Sequence, residues 1–377
     1  MNPKSKQAMK NTITLSPCNL QKSRNLIRVL LLVVVFLVFT ENRGSGQGVS
    51  ALERARMENY LLRQRADSLE RALAAYKQDI VFNPWDVLTG ISADRDNEYE
   101  YDYDSGFGLQ GVRIESEYHK KVLATLPSFS VKWNDVFDKY IDLYTVSRRK
   151  SMPYILGRYN KYSGLFKSSF SKYGVPEELT LLSVVESAVS RRALSKAGAL
   201  GIWQLMPETA RHYGLLVDGT VDERLDIAKS TDVAARMLRD LKKSLGTWEL
   251  AVLAYNCGAG NVRKAIIRAG GARDLWSIYE FLPAETRAYL PLLVGARFCE
   301  AYAQEYNIVP RKIVPDPASD KYAVSKDLHI LEIAEATGAN PELLLEINCQ
   351  YLRGIVPSGM VLTIPRGSAE KLKQISY

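Results

Sequence analysis

Residues 174–187 read GVPEELTLLSVVES, and this stretch indicates the fold of the central part of the chain. Pro176 suits the first turn of a helix, and apolar residues then recur at helical spacing in LTLLSVV, residues 179–185. The same spacing occurs in VFDKYIDLY at 136–144, and glycine-bearing turns separate several short helical patterns between residues 131 and 299. No alternating strand pattern interrupts them, so we expect an all-α domain.

Prolines, a glycine and a threonine predict where the later helices of this domain begin and end. Pro207 suits the start of one helix, and Thr247 caps another after a stop at Gly246. Pro283 opens the last long helix, which on this reading contains Pro291. A proline inside a helix predicts a bend at that position.

Glu186 is the residue on which a catalytic interpretation depends. It lies at the end of an apolar helical stretch, where its neighbours are valine and leucine. Apolar surroundings disfavour the ionised carboxyl and raise its pKa, which is what a general acid requires near neutral pH. The alternative is a glutamate at a helix end whose carboxylate reaches solvent.

A cluster of small and amide-bearing residues follows Glu186 in the segment AGALGIWQLMPETA, residues 197–210. Its small residues allow a ligand to approach the backbone closely. It also brings together Trp203, Gln204 and Met206. A tryptophan face stacks on sugar rings, and a glutamine amide both donates to hydroxyls and accepts from them.

Two further clusters have a similar composition, AYNCGAGNV at 254–262 and LPAETRAYLP at 282–291. The residues that they add as candidates for substrate binding are Tyr255, Asn256, Glu285 and Tyr289. Each cluster alone is compatible with ordinary packing or turn chemistry. Together with Glu186 on an all-α scaffold, they predict a cleft for a polysaccharide.

These motifs, and the order in which they follow one another, resemble those of the lytic murein transglycosylases of the soluble-lytic-transglycosylase type. Among these enzymes, the resemblance is to the membrane-bound lytic transglycosylase D group. The run ES-x(7)-S-x-x-GALGIWQLMP-x-TA-x-x-YGL comes first, followed by AYNCGAGNV and ETRAYLP. The resemblance covers residues 130–305. It implies a goose-lysozyme-like α fold, a peptidoglycan substrate and a single catalytic glutamate.

The resemblance assigns roles residue by residue. Glu186 matches the catalytic acid and base, and Ser195 matches a serine that family members place near the substrate's N-acetyl group. The matches to cleft residues are Gln204, Met206, Tyr255 and Glu285. The sequence departs from the family pattern at Ser190, where proline is common, and at Cys257, where a small residue is usual.

The resemblance also implies the chemistry. A glycosidase usually needs two carboxylates, and no second carboxylate lies near Glu186 in the sequence. In the family mechanism Glu186 protonates the oxygen between MurNAc and GlcNAc, then takes the proton of the MurNAc C6 hydroxyl, and a 1,6-anhydro ring results. The alternatives are a lysozyme-type muramidase, which admits water, and a non-catalytic peptidoglycan-binding protein.

No cofactor or metal ion is expected. The histidines, His119, His212 and His329, are scattered, and no Cys/His cluster has the spacing of metal ligands. The cysteines beyond residue 46 are Cys257, Cys299 and Cys349. We interpret them as small buried residues, although a bridge between the first two stays open.

The N-terminal region, residues 1–46, has the features of an export segment. Its seven basic residues and single glutamate account for six of the eight net positive charges, so the basic balance does not predict a nucleic-acid partner. Val29–Phe39 is an apolar run of eleven residues, typical of a signal peptide and short for a membrane span. A cleaved signal and an uncleaved membrane anchor both stay open, and either predicts an exported protein of the periplasm or cell envelope.

The boundaries between the other regions of the chain are predicted from changes in amino-acid composition. Residues 47–120 are interpreted as a helical stalk and an acidic linker, 121–305 as the catalytic domain and 306–320 as a proline-marked linker. Residues 321–366 predict a small βααβ module, with strands at Lys321–Val324 and Met360–Ile364.

This module resembles a LysM peptidoglycan-binding module in four places: YAV at 322–324, EIAEATG at 332–338, Asn348, and VPSGMVLTIP at 356–365. It departs from the LysM pattern at the first turn, SKDLHIL at 325–331. We expect residues 318–377 to bind glycan and to be dispensable for the chemistry. A folded spacer is the alternative.

Overall fold

The computed structural model describes residues 115–373. The predicted signal or anchor at 1–46, and nearly all of the predicted stalk and linker at 47–120, lie outside the described residues. Within the described range, no helix is both long enough and apolar enough to cross a membrane. The described chain comprises a helical part, 115–301, and a smaller part of strands and helices, 319–373.

The helical part consists of α-helices joined by short turns, and the prediction of a mainly α fold is confirmed. The helices are α1 Glu115–Leu123, α2 Val136–Asp142, α3 Met152–Lys172, α4 Leu182–Ser187, α5 Pro207–His212, α6 Ile227–Leu245, α7 Trp248–Cys257, α8 Ala259–Arg268, α9 Leu275–Ile278, α10 Ala284–Arg287 and α11 Tyr289–Ala301. A π-helical turn, Leu143–Ser147, extends α2, and 3₁₀ helices lie at Glu177–Leu181, Glu223–Leu225 and Tyr279–Phe281.

Helix α11 forms the centre of the helical part. Every residue from Tyr289 to Ala296 is buried, and the helix packs against α2, α4 and α7. Gly295 permits the close approach to α2, because a Cβ atom there would overlap the carbonyl oxygen of Tyr140. This packing holds Tyr289, the first residue of α11, in the interior next to the end of α4.

The predicted bend at Pro291 is wrong, because the last long helix begins later than expected. The chain forms the short helix α10 and then starts α11 at Tyr289, so Pro291 lies in the first turn. The first backbone N–H groups of a helix have no partner within the helix, and a proline there costs no hydrogen bond. The predicted cap is present, since the side chain of Thr247 accepts a hydrogen bond from the amide of Leu250.

The C-terminal part contains two small antiparallel sheets and three helices. Its elements are β1 Ser319–Ala323, β2 Leu328–His329, α12 Ile330–Thr337, α13 Pro341–Ile347, β3 Ile355–Val356, β4 Val361–Pro365 and α14 Ala369–Lys373. Strand β1 pairs with β4, with Lys321 opposite Thr363, and β2 pairs with β3, with Leu328 opposite Val356.

The C-terminal part contains three elements that the predicted βααβ pattern does not include, namely β2, β3 and α14. Strands of two residues are too short for an alternating pattern to reveal them. The two predicted strands correspond to β1, which begins two residues and ends one residue earlier than predicted, and to β4, which is shifted by one residue.

The segment between the two parts lies against α3. The amide of Arg311 donates to the carbonyl of Pro153 (2.7 Å), and Gly157 leaves room for the backbone of Arg311. Asp316 pairs with Lys161 at 2.8 Å. The segment predicted as a linker is therefore attached along one helix.

The three described cysteines are free thiols. Cys299 and Cys349 are buried, as expected for small apolar side chains, and Cys257 is partly exposed.

Candidate active site

Glu186 lies in the last turn of α4, with 6% of its surface exposed. Burial raises its pKa to about 8, a hydrogen bond from Tyr289 opposes this rise, and the negative charge of Glu285 adds to it. The helix ends abruptly after Ser187, because Ala188 and Val189 both adopt left-handed backbone conformations. The solvent-directed glutamate considered as the alternative is thus not what the structure contains.

Two tyrosines surround the carboxyl group. The hydroxyl of Tyr289 donates a hydrogen bond to Oε1 of Glu186. The hydroxyl of Tyr255 donates to the carbonyl of Trp203 at 2.8 Å. Burial raises the pKa of both tyrosines well above the usual value, and the charge of Glu186 raises both further, so both hydroxyls stay protonated as donors.

Residues 193–206, which we call the glycine loop, carry Ser195, Gln204 and Met206. The side chain of Ser195 accepts from the amide of Ala199 at 3.0 Å. Gln204 has a φ of 47°, and its amide nitrogen donates to the carbonyls of Ala193 (2.8 Å) and Gly201 (2.9 Å). The amide nitrogen of Gln204 is therefore occupied in holding the loop, whereas the side chain of Met206 is 37% exposed.

Trp203 does not have the predicted role as a platform for sugar rings. None of its surface is exposed, its indole nitrogen donates to Oγ1 of Thr231 at 2.9 Å, and its ring packs on Phe166 and Phe170. A fully buried ring offers no face to a ligand. Trp203 instead anchors the glycine loop in the core.

The two remaining clusters are joined through Asn256. Its side-chain oxygen accepts a hydrogen bond from the hydroxyl of Thr286 at 2.7 Å, which connects α7 to α10. Glu285 is exposed on α10, and its charge acts on Glu186. The structure thus brings Glu186, Tyr255, Tyr289 and Glu285 into one neighbourhood, with Asn256 supporting it.

Sequence reasoning missed two residues that position the site. The hydroxyl of Ser187 donates to the carbonyl of Ile202 at 2.8 Å and so ties the end of α4 to the glycine loop. The guanidinium of Arg224 donates to the carbonyls of Gly198 and Leu205 in the same loop. Ser187 adjoins Glu186 in the sequence, but nothing in the pattern around Arg224 links it to the loop.

The arrangement suits proton transfer by one carboxyl group. With a pKa of about 8, Glu186 holds its proton at neutral pH, and Tyr289 stabilises the carboxylate once the proton has left. Among residues 115–373, no three histidine, cysteine or acidic side chains converge in a way that would hold a metal ion.

Comparison with known proteins shows which proteins this chain resembles. Residues 165–275 match the model described as the transglycosylase SLT domain. The chain is 32% identical over 209 residues to membrane-bound lytic murein transglycosylase D of Escherichia coli (strain K12), a match that covers 54% of this chain and 46% of that protein. It is 28% identical over 136 residues to the soluble lytic murein transglycosylase of the same strain, covering 34% of this chain and 21% of that protein.

A solved structure of the 70 kDa soluble lytic transglycosylase from Escherichia coli matches 38% of this chain and 24% of its own, at 27% identity and a TM-score of 0.34. The chain spans about half the length, or less, of the curated relatives named above. The family model and the sequence relatives confirm the predicted resemblance to the lytic murein transglycosylases, with residues 165–275 matching a transglycosylase SLT domain.

Proposed function

We propose that this protein is a lytic transglycosylase that cleaves the β-1,4 bond between MurNAc and GlcNAc in peptidoglycan, in cell-wall remodelling. The observation that carries the proposal is Glu186, a buried carboxyl with a pKa of about 8 that accepts a hydrogen bond from Tyr289. Relatives named as lytic murein transglycosylases support the substrate class.

In the first step, Glu186 donates its proton to the glycosidic oxygen, and the bond from that oxygen to C1 of MurNAc breaks. The acetamido group of the same sugar stabilises the positive charge that develops at C1. Burial makes the protonated form of Glu186 the resting form near neutral pH, so the acid is ready when the glycan binds.

In the second step, the carboxylate of Glu186 takes the proton of the MurNAc C6 hydroxyl, and that oxygen attacks C1. The product is 1,6-anhydro-MurNAc, water is not consumed, and Glu186 regains its proton. The hydrogen bond from Tyr289 stabilises the carboxylate between the steps, while burial keeps it basic enough to remove the proton.

A lysozyme-type muramidase is the second candidate, because Glu285 is a carboxylate close enough for its charge to affect Glu186. An inverting or retaining hydrolase uses such a second carboxylate to activate water or to attack C1. Glu285→Gln separates the two candidates. A lytic transglycosylase keeps its kcat even where the loss of a glycan contact raises KM, whereas a hydrolase that depends on Glu285 loses kcat.

The direct test of the acid is Glu186→Gln. This change keeps the shape of the side chain and removes the transferable proton, so we expect clearing of purified sacculi to fall by about 100-fold or more. The matched control is Glu178→Gln, at a buried glutamate that accepts from the amide of Ser128 at 3.0 Å. If both variants retain comparable activity, the assignment of Glu186 is wrong.

For the C-terminal part we propose glycan binding of the LysM kind. The turn after β1 and the turn before β4 are held together by Ser358, whose amide donates to Asp327 (2.8 Å) and whose hydroxyl donates to the carbonyl of Ser325 (2.9 Å). Beside the first turn lies a cavity of 420 Å³, lined by Lys326, Leu328, Glu332, Glu335 and Ala336. An open cavity with polar and apolar walls suits shallow contacts with an N-acetyl sugar.

Co-sedimentation with sacculi tests this binding, in a Glu186→Gln background so that the glycan is not consumed. Ala336→Trp fills the cavity, and we expect it to reduce the fraction of protein that sediments. The same substitution at Ala318, an exposed position outside the cavity, is the control. Equal sedimentation of both variants would favour the folded-spacer interpretation.

We further propose that the protein acts in the cell envelope and is exported through residues 1–46, which serve either as a cleaved signal peptide or as an uncleaved membrane anchor. The apolar run Val29–Phe39 and the relatives named as membrane-bound support this place. Fractionation of cells that express the full chain, compared with a chain that lacks residues 1–46, tests it.

A further inference from the structure

The helical and C-terminal parts are joined by backbone pairing. The amide of Leu352 donates to the carbonyl of Thr220 at 2.9 Å, and the amide of Asp222 donates to the carbonyl of Gln350 at 2.8 Å. Between these two bonds, Val221 lies opposite Tyr351 in an antiparallel bridge. Val221 is 1% exposed and belongs to the hydrophobic core of the C-terminal part. A residue of the helical part therefore completes the core of the other part.

The paired segment leads directly to a buried ion pair. Asp222, whose backbone pairs with Gln350, accepts from Nε of Arg224 (2.9 Å, Oδ1) and from its Nη2 (2.7 Å, Oδ2). Both side chains are 7% exposed. Two parallel bonds between a guanidinium and a carboxylate fix the orientation of the arginine as well as its position.

The third nitrogen of the same guanidinium supports the glycine loop. Nη1 of Arg224 donates to the carbonyl of Gly198 at 2.8 Å and to that of Leu205 at 3.0 Å. Gly201, between them, lies so close to the backbone of Arg224 that a Cβ atom would overlap its carbonyl oxygen. The loop and Arg224 are thus in contact through side chain and backbone.

The contacts form a continuous path from residues 350–352 to the glycine loop, which carries Ser195, Gln204 and Met206. We propose that Arg224 is a positioning residue for the substrate-binding groups of this loop, and that the docked C-terminal part fixes Arg224 through Asp222. The inference rests on the proposed function only for the identity of the ligand that the loop binds. On this proposal, the C-terminal part holds the glycine loop in position, in addition to being a second binding site for glycan.

The chemistry of arginine explains why this residue type occupies the position. Its planar fork reaches a carboxylate and two carbonyls at the same time, whereas a lysine presents one compact ammonium group. Loss of the guanidinium would leave Asp222 buried without its counter-charge and two loop carbonyls without this donor, and both effects are unfavourable.

Hydrogen exchange in the full chain tests the path without reference to activity. Val221→Asp places a charge in the shared core, and we expect faster exchange at Asp222 and Leu352. Beyond Arg224, exchange at the loop amides of Leu200, Gly201 and Leu205 should accelerate by about tenfold or more, while α7 keeps its protection. The control is Val314→Asp, at a position that is 82% exposed.

Two outcomes would overturn the proposal. In one, the loop amides keep full protection in Val221→Asp although Asp222 and Leu352 lose theirs. In the other, Asp222 and Leu352 already exchange rapidly in the wild-type protein. If Val221→Asp also removes protection from α7, the milder Val221→Ala is compared with wild type by the same criteria.

Steady-state kinetics on a soluble glycan test the positioning role itself. We expect Arg224→Gln to raise KM by about tenfold, in line with a misplaced binding loop, and to leave the dependence of kcat on pH unchanged. A change confined to kcat or to its pH profile would contradict a positioning role. If the wild-type protein cleaves no glycan, the proposed function fails, and hydrogen exchange alone decides the inference.

Discussion

The surroundings of Glu186 explain how one carboxyl group can act first as an acid and then as a base. Burial is the largest influence and favours the proton-bearing form. The hydrogen bond from Tyr289 works in the opposite direction and limits the rise of the pKa. A pKa of about 8 leaves the group protonated at neutral pH, yet able to release its proton to a developing alkoxide.

The raised pKa has a consequence for stability. A carboxyl whose pKa rises on folding from 4.5 to about 8 stabilises the folded state at low pH, and this contribution is lost as the pH increases through about 8. Glu186→Gln has no proton to lose, so its stability should increase relative to that of wild type between pH 4.5 and 8, by about 5 kcal/mol at the limit. Thermal melts at several pH values measure this gain, with Glu342→Gln, at an exposed position of the C-terminal part, as control. A gain that is independent of pH would contradict the burial argument.

Tyr289→Phe isolates the hydrogen bond to the carboxylate. The ring still fills its place in the core, but the carboxylate loses a donor, so the pKa of Glu186 should rise further. We expect activity to persist to higher pH than in wild type, while the maximal rate falls by about tenfold or more. The pH–rate profile on sacculi is the measurement. Tyr255→Phe, which loses a bond to the carbonyl of Trp203, should leave the alkaline limb in place.

Among the elements, those with strong local signals could be predicted from the sequence. Thr247 and Gly246 mark a cap and a stop because a side-chain acceptor and a left-handed backbone are local requirements. The split between α10 and α11 was missed, because a proline at the third position of a helix and one in its interior look the same in a sequence. The two-residue strands β2 and β3 were missed because pairing, and not periodicity, defines them.

At the site, the structure brings several of the predicted residues together but gives Trp203 a place in the core. Trp203 lies in a motif rich in candidates for binding, yet its side chain points into the core. The preceding Ile202 and following Leu205 are also buried, so the loop is apolar on one side. Arg224 had no sequence signal, since the loop carbonyls that it binds, at 198 and 205, come close to it only in the folded protein.

Because Trp203 anchors the glycine loop in the core, its loss should affect the stability of the fold. Trp203→Ala removes a fully buried ring that packs on Phe166 and Phe170, so it should lower the free energy of unfolding by about 3–5 kcal/mol. Met206→Ala, at a partly exposed position of the same loop, should leave that free energy nearly unchanged. Denaturant titration compares the two. A Trp203→Ala protein as stable as wild type would restore the interpretation of Trp203 as a surface residue for sugar.

At the scale of the whole molecule, the structure docks the C-terminal part directly against the helical part. Sequence reasoning treats residues 318–377 as a module on a linker, because a composition pattern carries no information on docking. In the structure, Asp316 is paired with Lys161, and Val221 is enclosed by the core of the C-terminal part. The two parts therefore share apolar surface and backbone hydrogen bonds.

Deletion of residues 318–377 should consequently destabilise the helical part that remains. The truncation exposes Val221 and removes the partners of Thr220 and Asp222, a loss of about 2 kcal/mol or more. We expect the melting temperature of the helical part to fall by at least about 4 °C. Calorimetry of the truncated and full chains provides the comparison, and an unchanged melting temperature would mean that the two parts are stable independently.

The central claim is that Glu186 alone serves as acid and base, so that the C6 hydroxyl of MurNAc, and not water, attacks C1. Mass spectrometry of the muropeptides released from purified sacculi tests it most directly, because hydrolysis adds one water to the fragment and the lytic reaction does not. We expect fragments that end in 1,6-anhydro-MurNAc, and we expect them to disappear with Glu186→Gln. A spectrum dominated by fragments that end in reducing MurNAc would contradict it and identify the protein as a hydrolase.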